Sequence, residues 1–345
     1  MMNLMFKNIL LAYLAFGLVV APSEVLAAHK KPSKRLVSNQ KHLSQLGRIR
    51  AQQVSVRLRS AHTLQVQREY ASAESFDGSG TLQLASSNAL IINQNTGEVL
   101  FAKNTNLPTP IASITKLMTA MVMLDAKLPQ EEVIEISDDD IDYLKGTSSR
   151  LTIGTQMTRG EFLQLALMAS ENRAASTLAS NYPGGKSMFV RAMNAKAHLI
   201  GLTNTHFVDP TGLDSENVST AEDLAKMVQA AYQYTEIRAA TTTADREVYL
   251  EGRASPVLFK NTNGLVRKGE WEIGLSKTGF INEAGRCLVM QATIAGAPMI
   301  VVLLNSNGKL TRIGDANRIR KWMEFNSVPT TTTTGQTLVM AGKIS

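Results

Sequence analysis

The sequence predicts an α+β fold, an antiparallel sheet flanked by helices together with a helical lobe. Three observations predict it. Short apolar runs bounded by turn residues open and close the folded region. Between them, from about residue 113 to 234, apolar residues recur at helical spacing. A single amphipathic stretch follows the last strands.

Folded structure is expected from Leu82. Ala89–Asn93 and Glu98–Phe101 flank Gln94-Asn95-Thr96-Gly97, a hairpin signal. Pro110 precedes a helix from Ser113 to about Asp125, with Leu117, Met118, Met121, Val122 and Leu124 on its apolar positions. Thr158-Arg159-Gly160-Glu161 is a capping box ahead of an apolar run to Met168. A helix from about Ser187 to Ile200 stops at Gly201, a suitable C′ glycine. Ser219-Thr220-Ala221-Glu222 is a second capping box, opening a helix to Tyr234. Then the period changes. Glu247–Glu251, Glu272–Thr278, Gly285–Ala295 and Met299–Leu304 are strands, the last two joined by a turn at Gly296-Ala297-Pro298. The final helix spans Thr311 to about Phe325.

What flanks this region differs in chemistry. Residues 1–28 carry Lys7, an apolar run from Ile9 to Ala21 and a small-residue ending, the layout of a cleaved signal peptide. That run is shorter than the roughly 20 residues of a spanning helix. Residues 29–80 hold ten Lys or Arg against three acids, so the whole net charge of +7 sits there, in a basic, flexible extension. Val54, Val56 and Leu58 alternate as a short strand would. The catalytic region is 81–327, and 328–345, with its threonine run, is a disordered tail. One cysteine, Cys287, forms no internal disulfide and is expected to pack as a buried thiol.

Three motifs carry chemistry. Ser113-Ile114-Thr115-Lys116 places a lysine one turn after a serine on the same helix face, where the amine reaches the hydroxyl. To take its proton the amine must be neutral part of the time, which burial or nearby cations arrange. Alone the pattern is weak, arising by chance roughly once in a few hundred residues. Ser170-Glu171-Asn172 lies between helical stretches; its serine can relay a proton, and its asparagine can hold a substrate carbonyl and restrain the lysine. Lys277-Thr278-Gly279 lies in a strand, where glycine lets substrate backbone approach and the lysine and threonine suit a carboxylate. All three together, in this order and context, are a specific signature.

On these motifs the chain resembles the low-molecular-mass penicillin-binding proteins, the D-alanyl-D-alanine peptidases of the S11 type. Asn88–Ile92, Thr96–Leu100, Thr205–Leu213 and Asn261–Leu265 extend the resemblance over about Leu82 to Phe325. The stretch Ser148 to Ala175 is most similar to the endopeptidase branch. The resemblance implies a DD-peptidase/serine β-lactamase-like fold and cell-wall peptidoglycan as substrate. Catalytic roles would fall on Ser113 as nucleophile, Lys116 as its base and Ser170 as proton relay. Asn172, Lys277, Thr278 and Gly279 would bind substrate. The backbone N–H groups of Ser113 and Phe280 would form the oxyanion hole.

A class A β-lactamase would also need a deacylating glutamate in a Glu-x-x-x-Asn arrangement, which is lacking between Asn172 and Asp223. No histidine pair suits a metal, no G-x-S-x-G elbow occurs, and Gly185-Lys186-Ser187 lacks the glycine a P-loop needs, with Ser180 in its place. No cofactor and no metal are expected. The expected partners are peptidoglycan stems and β-lactams as covalent inhibitors. Through 29–80 an anionic membrane surface or a wall-hydrolase partner is added; no nucleic acid is expected. The chain ends within about twenty residues of its last helix, which favours an exported periplasmic endopeptidase over a carboxypeptidase. A non-catalytic wall-binding scaffold is the alternative of another class.

Overall fold

The computed structural model describes residues 81–327. The expected signal peptide, basic extension, Val54–Leu58 strand and C-terminal tail lie outside the described residues.

Eleven strands and eight α-helices follow in chain order among the described residues. β1 (Asn88–Asn93), β2 (Val99–Lys103) and the short β3 (Thr109–Pro110) lead to a 3-10 turn, Ala112–Thr115, and α1 (Lys116–Asp125). β4 (Val133–Glu135), a 3-10 turn at Asp138–Asp140 and β5 (Gln156–Thr158) precede α2 (Arg159–Met168), α3 (Asn172–Ser180) and α4 (Gly185–Leu199). β6 (Val218–Ser219), α5 (Ala221–Ala231), α6 (Thr235–Thr242), β7 (Asp245–Val248), β8 (Val257–Lys260) and α7 (Gly264–Lys268) come next. β9 (Ile273–Ile281), β10 (Gly285–Ile294), β11 (Ala297–Ser306) and α8 (Thr311–Ser327) close the fold.

The main sheet has the order β2-β1-β11-β10-β9, every neighbouring pair antiparallel. Both faces are covered. Ile91, Leu288, Met290, Val301 and Leu303 pack with Ile313, Ala316 and Ile319 of α8. Leu90, Val289, Ile300 and Val302 on alternate positions pack with the helical lobe. This double burial explains why β10 and β11 read as continuous apolar runs. The buried Asp315 of α8 fixes that helix to the chain entering β1, accepting from the Ala85 and Ser86 backbone N–H groups at 3.0 and 2.7 Å.

α1 is the axle of the lobe. Every residue from Lys116 to Met123 is buried, as a helix enclosed on all sides requires. Phe162, Met168, Leu178 and Phe189 of α2, α3 and α4 share its core. Truncating a fully buried member such as Met121 to Ala costs about 2–5 kcal/mol in such a site.

Several boundaries differ from the sequence reading. The helix expected from Ser113 is a 3-10 turn up to Thr115, because Ala112 enters it with a positive φ of 48°. At the start of α5, Thr220 rather than Ser219 caps the helix by accepting from the Asp223 N–H. Glu222 does not complete a box; its carboxylate accepts from the Thr105 hydroxyl at 2.6 Å. The expected strand Glu247–Glu251 is shorter and pairs only with β8, apart from the main sheet. The turn expected at 296–298 lies at Ala295-Gly296, both with positive φ, and Ala297 and Pro298 already belong to β11. β9 runs past Thr278 to Ile281, so all of Lys277-Thr278-Gly279-Phe280 lies inside it.

Candidate active site

Three elements converge on Ser113. The 3-10 turn carries Ser113 itself, the α2–α3 connection carries Ser170, the first residue of α3 is Asn172, and the edge strand β9 carries Lys277, Thr278 and Gly279. The approach is close enough to demand glycine twice. A Cβ on Gly279 would stand 2.9 Å from the Ile111 carbonyl and 3.0 Å from the Ser113 nitrogen. The 279–280 peptide therefore runs beside the Ser113 N–H. A Cβ on Gly212 would stand 2.0 Å from the Ala112 carbonyl, and Gly212 has a φ of +80°.

Two non-glycine residues here have positive φ, Ala112 at 48° and Ser170 at 59°. Such conformations cost about 1–2 kcal/mol for an L-residue and persist only where the surroundings impose them.

The Lys116 side chain is buried and its Nζ has three neighbours. They are the Ser113 Oγ at 2.9 Å, the Asn172 Oδ1 at 2.7 Å and the Thr211 carbonyl at 2.6 Å. The last two are pure acceptors. A neutral amine has two N–H bonds and one lone pair. With both N–H bonds given to Asn172 and Thr211, the lone pair is left for the Ser113 hydroxyl. Burial brings the Lys116 pKa down to about 7, against the pull of Asp209 and Glu171, which favour the charged form. The neutral amine is therefore well populated near neutral pH.

Lys277 is buried as well, and its Nζ donates to the Ser170 Oγ and the Thr278 carbonyl, both at 2.9 Å. Its pKa is pushed well down, by burial first and then by Lys116 and Arg312. Thr278 donates to the Thr262 hydroxyl at 2.7 Å. Phe280, half exposed, stands at the rim of the site.

The structure thus brings the three motifs together around Ser113, with Phe280 next after Gly279 on β9. It adds others that the motifs do not contain. Thr211 sits in a loop held by Asp209, whose carboxylate accepts from the Thr211, Gly212 and Asp214 N–H groups. The buried Asn217 ties that loop to the 3-10 turn of Ser113, donating to the Asp209 carbonyl and the Thr115 hydroxyl. Thr147 accepts from the Asn172 amide at 3.1 Å, and Asp142 in turn accepts from the Thr147 hydroxyl. Arg312 of α8 has buried Nε and Nη1 groups with no hydrogen-bond partner, and burial, then Arg286, lowers its pKa to about 10. Asp209, Thr211 and Gly212 lay within the Thr205–Leu213 block; nothing in the sequence pointed to Arg312. A cleft of about 210 Å³ adjoins Asn172 and Thr211, lined in part by Ile141, Tyr143, Leu144 and Pro210.

Comparisons with known proteins identify the family. A family model described as D-alanyl-D-alanine carboxypeptidase, peptidase S11, matches residues 72–308. The D-alanyl-D-alanine endopeptidase of Pseudomonas aeruginosa is 50% identical over 246 residues, 71% of this chain and 79% of that protein. The D-alanyl-D-alanine endopeptidase of Escherichia coli K12 is 45% identical over the same shares of each chain. Among solved structures, the crystal structure of the Streptomyces K15 DD-transpeptidase superposes with a TM-score of 0.65 at 29% identity, over 70% of this chain and 98% of that one. The α+β fold expected from the sequence is the fold of these neighbours.

Proposed function

Because the chain belongs to the D-alanyl-D-alanine carboxypeptidase family of serine peptidases, we propose that it hydrolyses peptidoglycan cross-links as a D-alanyl-D-alanine endopeptidase, through an acyl-enzyme on Ser113. One observation carries the assignment of roles: the buried Lys116 amine has two carbonyl-type acceptors and the Ser113 hydroxyl as its neighbours.

The steps follow from that arrangement. Neutral Lys116 takes the Ser113 proton, and Oγ attacks the D-alanyl carbonyl carbon. The carbonyl oxygen gains negative charge facing the Ser113 and Phe280 N–H groups, donors fixed before reaction. The tetrahedral adduct collapses by breaking the C–N bond. The proton passes from Lys116 through Ser170, oriented by Lys277, to the leaving amine. Water then adds to the ester carbonyl, with Lys116 taking the water proton and returning it to Ser113. Lys277, Thr278 and Arg312, whose buried Nε and Nη1 have no hydrogen-bond partner, suit the substrate carboxylate; Asn172 suits the carbonyl on the acyl side. A β-lactam follows the same path to the ester, which makes it a covalent inhibitor.

Intact-mass spectrometry after incubation with benzylpenicillin tests this. One adduct is expected on the wild type and none on Ser113→Ala. An adduct that survives in Ser113→Ala, or none on the wild type, overturns the assignment. Endopeptidase action predicts faster cleavage of purified cross-linked muropeptide dimers than trimming of pentapeptide monomers. The reverse order favours the carboxypeptidase reading, for which the family description speaks.

Residues 1–28 support export to the periplasm, and no helix of the described residues is long and apolar enough to cross a membrane. The charge of 29–80 supports a peripheral contact with an anionic surface, each Lys or Arg near such a membrane contributing about 1 kcal/mol. Deleting 29–80 is expected to weaken co-sedimentation with sacculi or anionic vesicles and to leave penicillin acylation intact. Equal binding by both forms across a salt series rejects the contact.

A further inference from the structure

The charge on one face of β9 exceeds what a single carboxylate requires. Side chains alternate along a strand, so Thr278 and Phe280 share a face. Arg286 of β10 stands directly opposite Phe280 in the register, and Leu288 opposite Thr278. Leu288 packs in the core that includes α8, which places Thr278, Phe280, Arg286 and the α8 residue Arg312 on one side of the sheet. Arg286 raises the electrostatic cost of charge on Arg312, and Arg312 does the same to Lys277. Among the described residues no carboxylate forms an ion pair with Arg286 or Arg312. Glu283, the acid nearest to Arg286 in sequence, is taken by Lys145 at 2.5 Å.

Arg286 is also aimed. The β9–β10 pairing is regular from Gly285 to Gln291, so Arg286 is held opposite Phe280, and the β10–β11 pairing carries a bulge on the β11 strand beside it. The guanidinium lies over the Phe280 ring, 4.3 Å from its centroid. Stacking on a ring holds the plane by its face and leaves the N–H edge free for a planar acceptor. Phe280 itself is half exposed, so the pair is open to solvent at the edge strand.

We infer that Arg286, propped on Phe280, is a specificity-determining residue: a second carboxylate anchor for leaving groups larger than one amino acid. The inference rests on the endopeptidase reading. Trimming a pentapeptide releases a single amino acid with one carboxylate, which Lys277, Thr278 and Arg312 accommodate. Cutting a cross-link releases an entire second stem peptide, which bears further carboxylates beyond the first. Binding energy from that remote part of the substrate accelerates only the reaction that has it.

The test compares kcat/KM on a cross-linked muropeptide dimer and on a pentapeptide monomer for wild type, Arg286→Ala, Arg286→Gln and Arg286→Lys. The dimer-to-monomer ratio is expected to fall about five- to tenfold in Arg286→Ala and Arg286→Gln, the worth of one partly exposed charge-assisted contact. Arg286→Lys, which keeps the charge but not the planar fork, is expected to recover part of it. Raising salt should shrink the wild-type ratio towards that of Arg286→Ala. A ratio equal to wild type in every soluble variant overturns the inference, including when both activities fall together, as a merely structural arginine would produce. A wild type that does not cleave the dimer overturns the endopeptidase reading, and this inference with it.

Discussion

The Lys116 Nζ lies 2.6 Å from the Thr211 carbonyl, closer than the 2.9 Å to the Ser113 hydroxyl it is proposed to deprotonate. The carbonyl is a fixed acceptor, so it orients the amine and aims the lone pair. Burial lowers the Lys116 pKa to about 7. Acylation by benzylpenicillin is therefore expected to rise with pH through about 7 and then level off, and stopped-flow acylation rates across pH check it. Lys116→Met should stay folded and lose several orders of magnitude in rate, since general-base assistance contributes about 10²–10⁴-fold and acts here as part of a unit. Stability should carry the same signature. Between about pH 7 and the ordinary lysine range the unfolded chain holds a proton that folded Lys116 does not. The stability of wild type relative to Lys116→Met is thus expected to increase with pH across that window, measured by urea melts.

Gly212 has no room for a side chain. Its φ of +80° and a would-be Cβ 2.0 Å from the Ala112 carbonyl act together. The clash is with backbone, which cannot swing aside as a side-chain tip can. Gly212→Ala is expected to lose at least about 2 kcal/mol. Acylation should also slow, because the displaced carbonyl belongs to the residue before Ser113. Thermal melts and penicillin acylation of the purified variant report the two effects separately; a variant that melts like wild type contradicts this packing.

Ser170 separates stability from activity. Its φ of 59° is one that glycine adopts freely. Ser170→Gly and Ser170→Ala both remove the hydroxyl that accepts from Lys277, but only alanine retains the strain. Ser170→Gly is expected to be more stable than Ser170→Ala by about 1 kcal/mol, while both lose acylation by at least about tenfold. Chemical melts paired with acylation rates decide it, and equal stabilities would mean that the strain is relieved in some other way.

Asp140 is buried and accepts from the hydroxyls of Ser176, Thr177 and Ser180, with Lys186 3.4 Å away. Burial pushes its pKa up, but hydrogen bonds from Ser180, the Ser137 backbone and Ser176, together with Lys186, outweigh it and hold the carboxyl below its usual range. The sign follows: this stabilisation is present above the unfolded pKa near 3.8 and fades as pH falls through the lower folded value. Asp140→Asn is expected to cost about 2–3 kcal/mol at neutral pH, and the deficit should shrink below about pH 4. Urea melts of both proteins at pH 7 and pH 3 check the convergence.

Linear spacing by itself determined the pair Ser113 and Lys116, because three residues on a helical turn bring two side chains together whatever surrounds them. Residue type and local context located Ser170, Asn172 and the Lys277–Phe280 strand, short apolar runs announced the sheet, and helical spacing of apolar residues announced the lobe. Tertiary structure decided what those residues can do. Asn172 and Thr211 reach Lys116 across 56 and 95 residues of chain, and Ser170 meets Lys277 across 107. No periodicity encodes such distances. The pKa of Lys116 depends on desolvation by the packed lobe, a property of the assembled core rather than of the motif. Arg286 and Arg312 are ordinary surface arginines in the sequence. Strand register sets one opposite Phe280 of β9, and a helix packed on the sheet brings the other near enough to lower the pKa of Lys277.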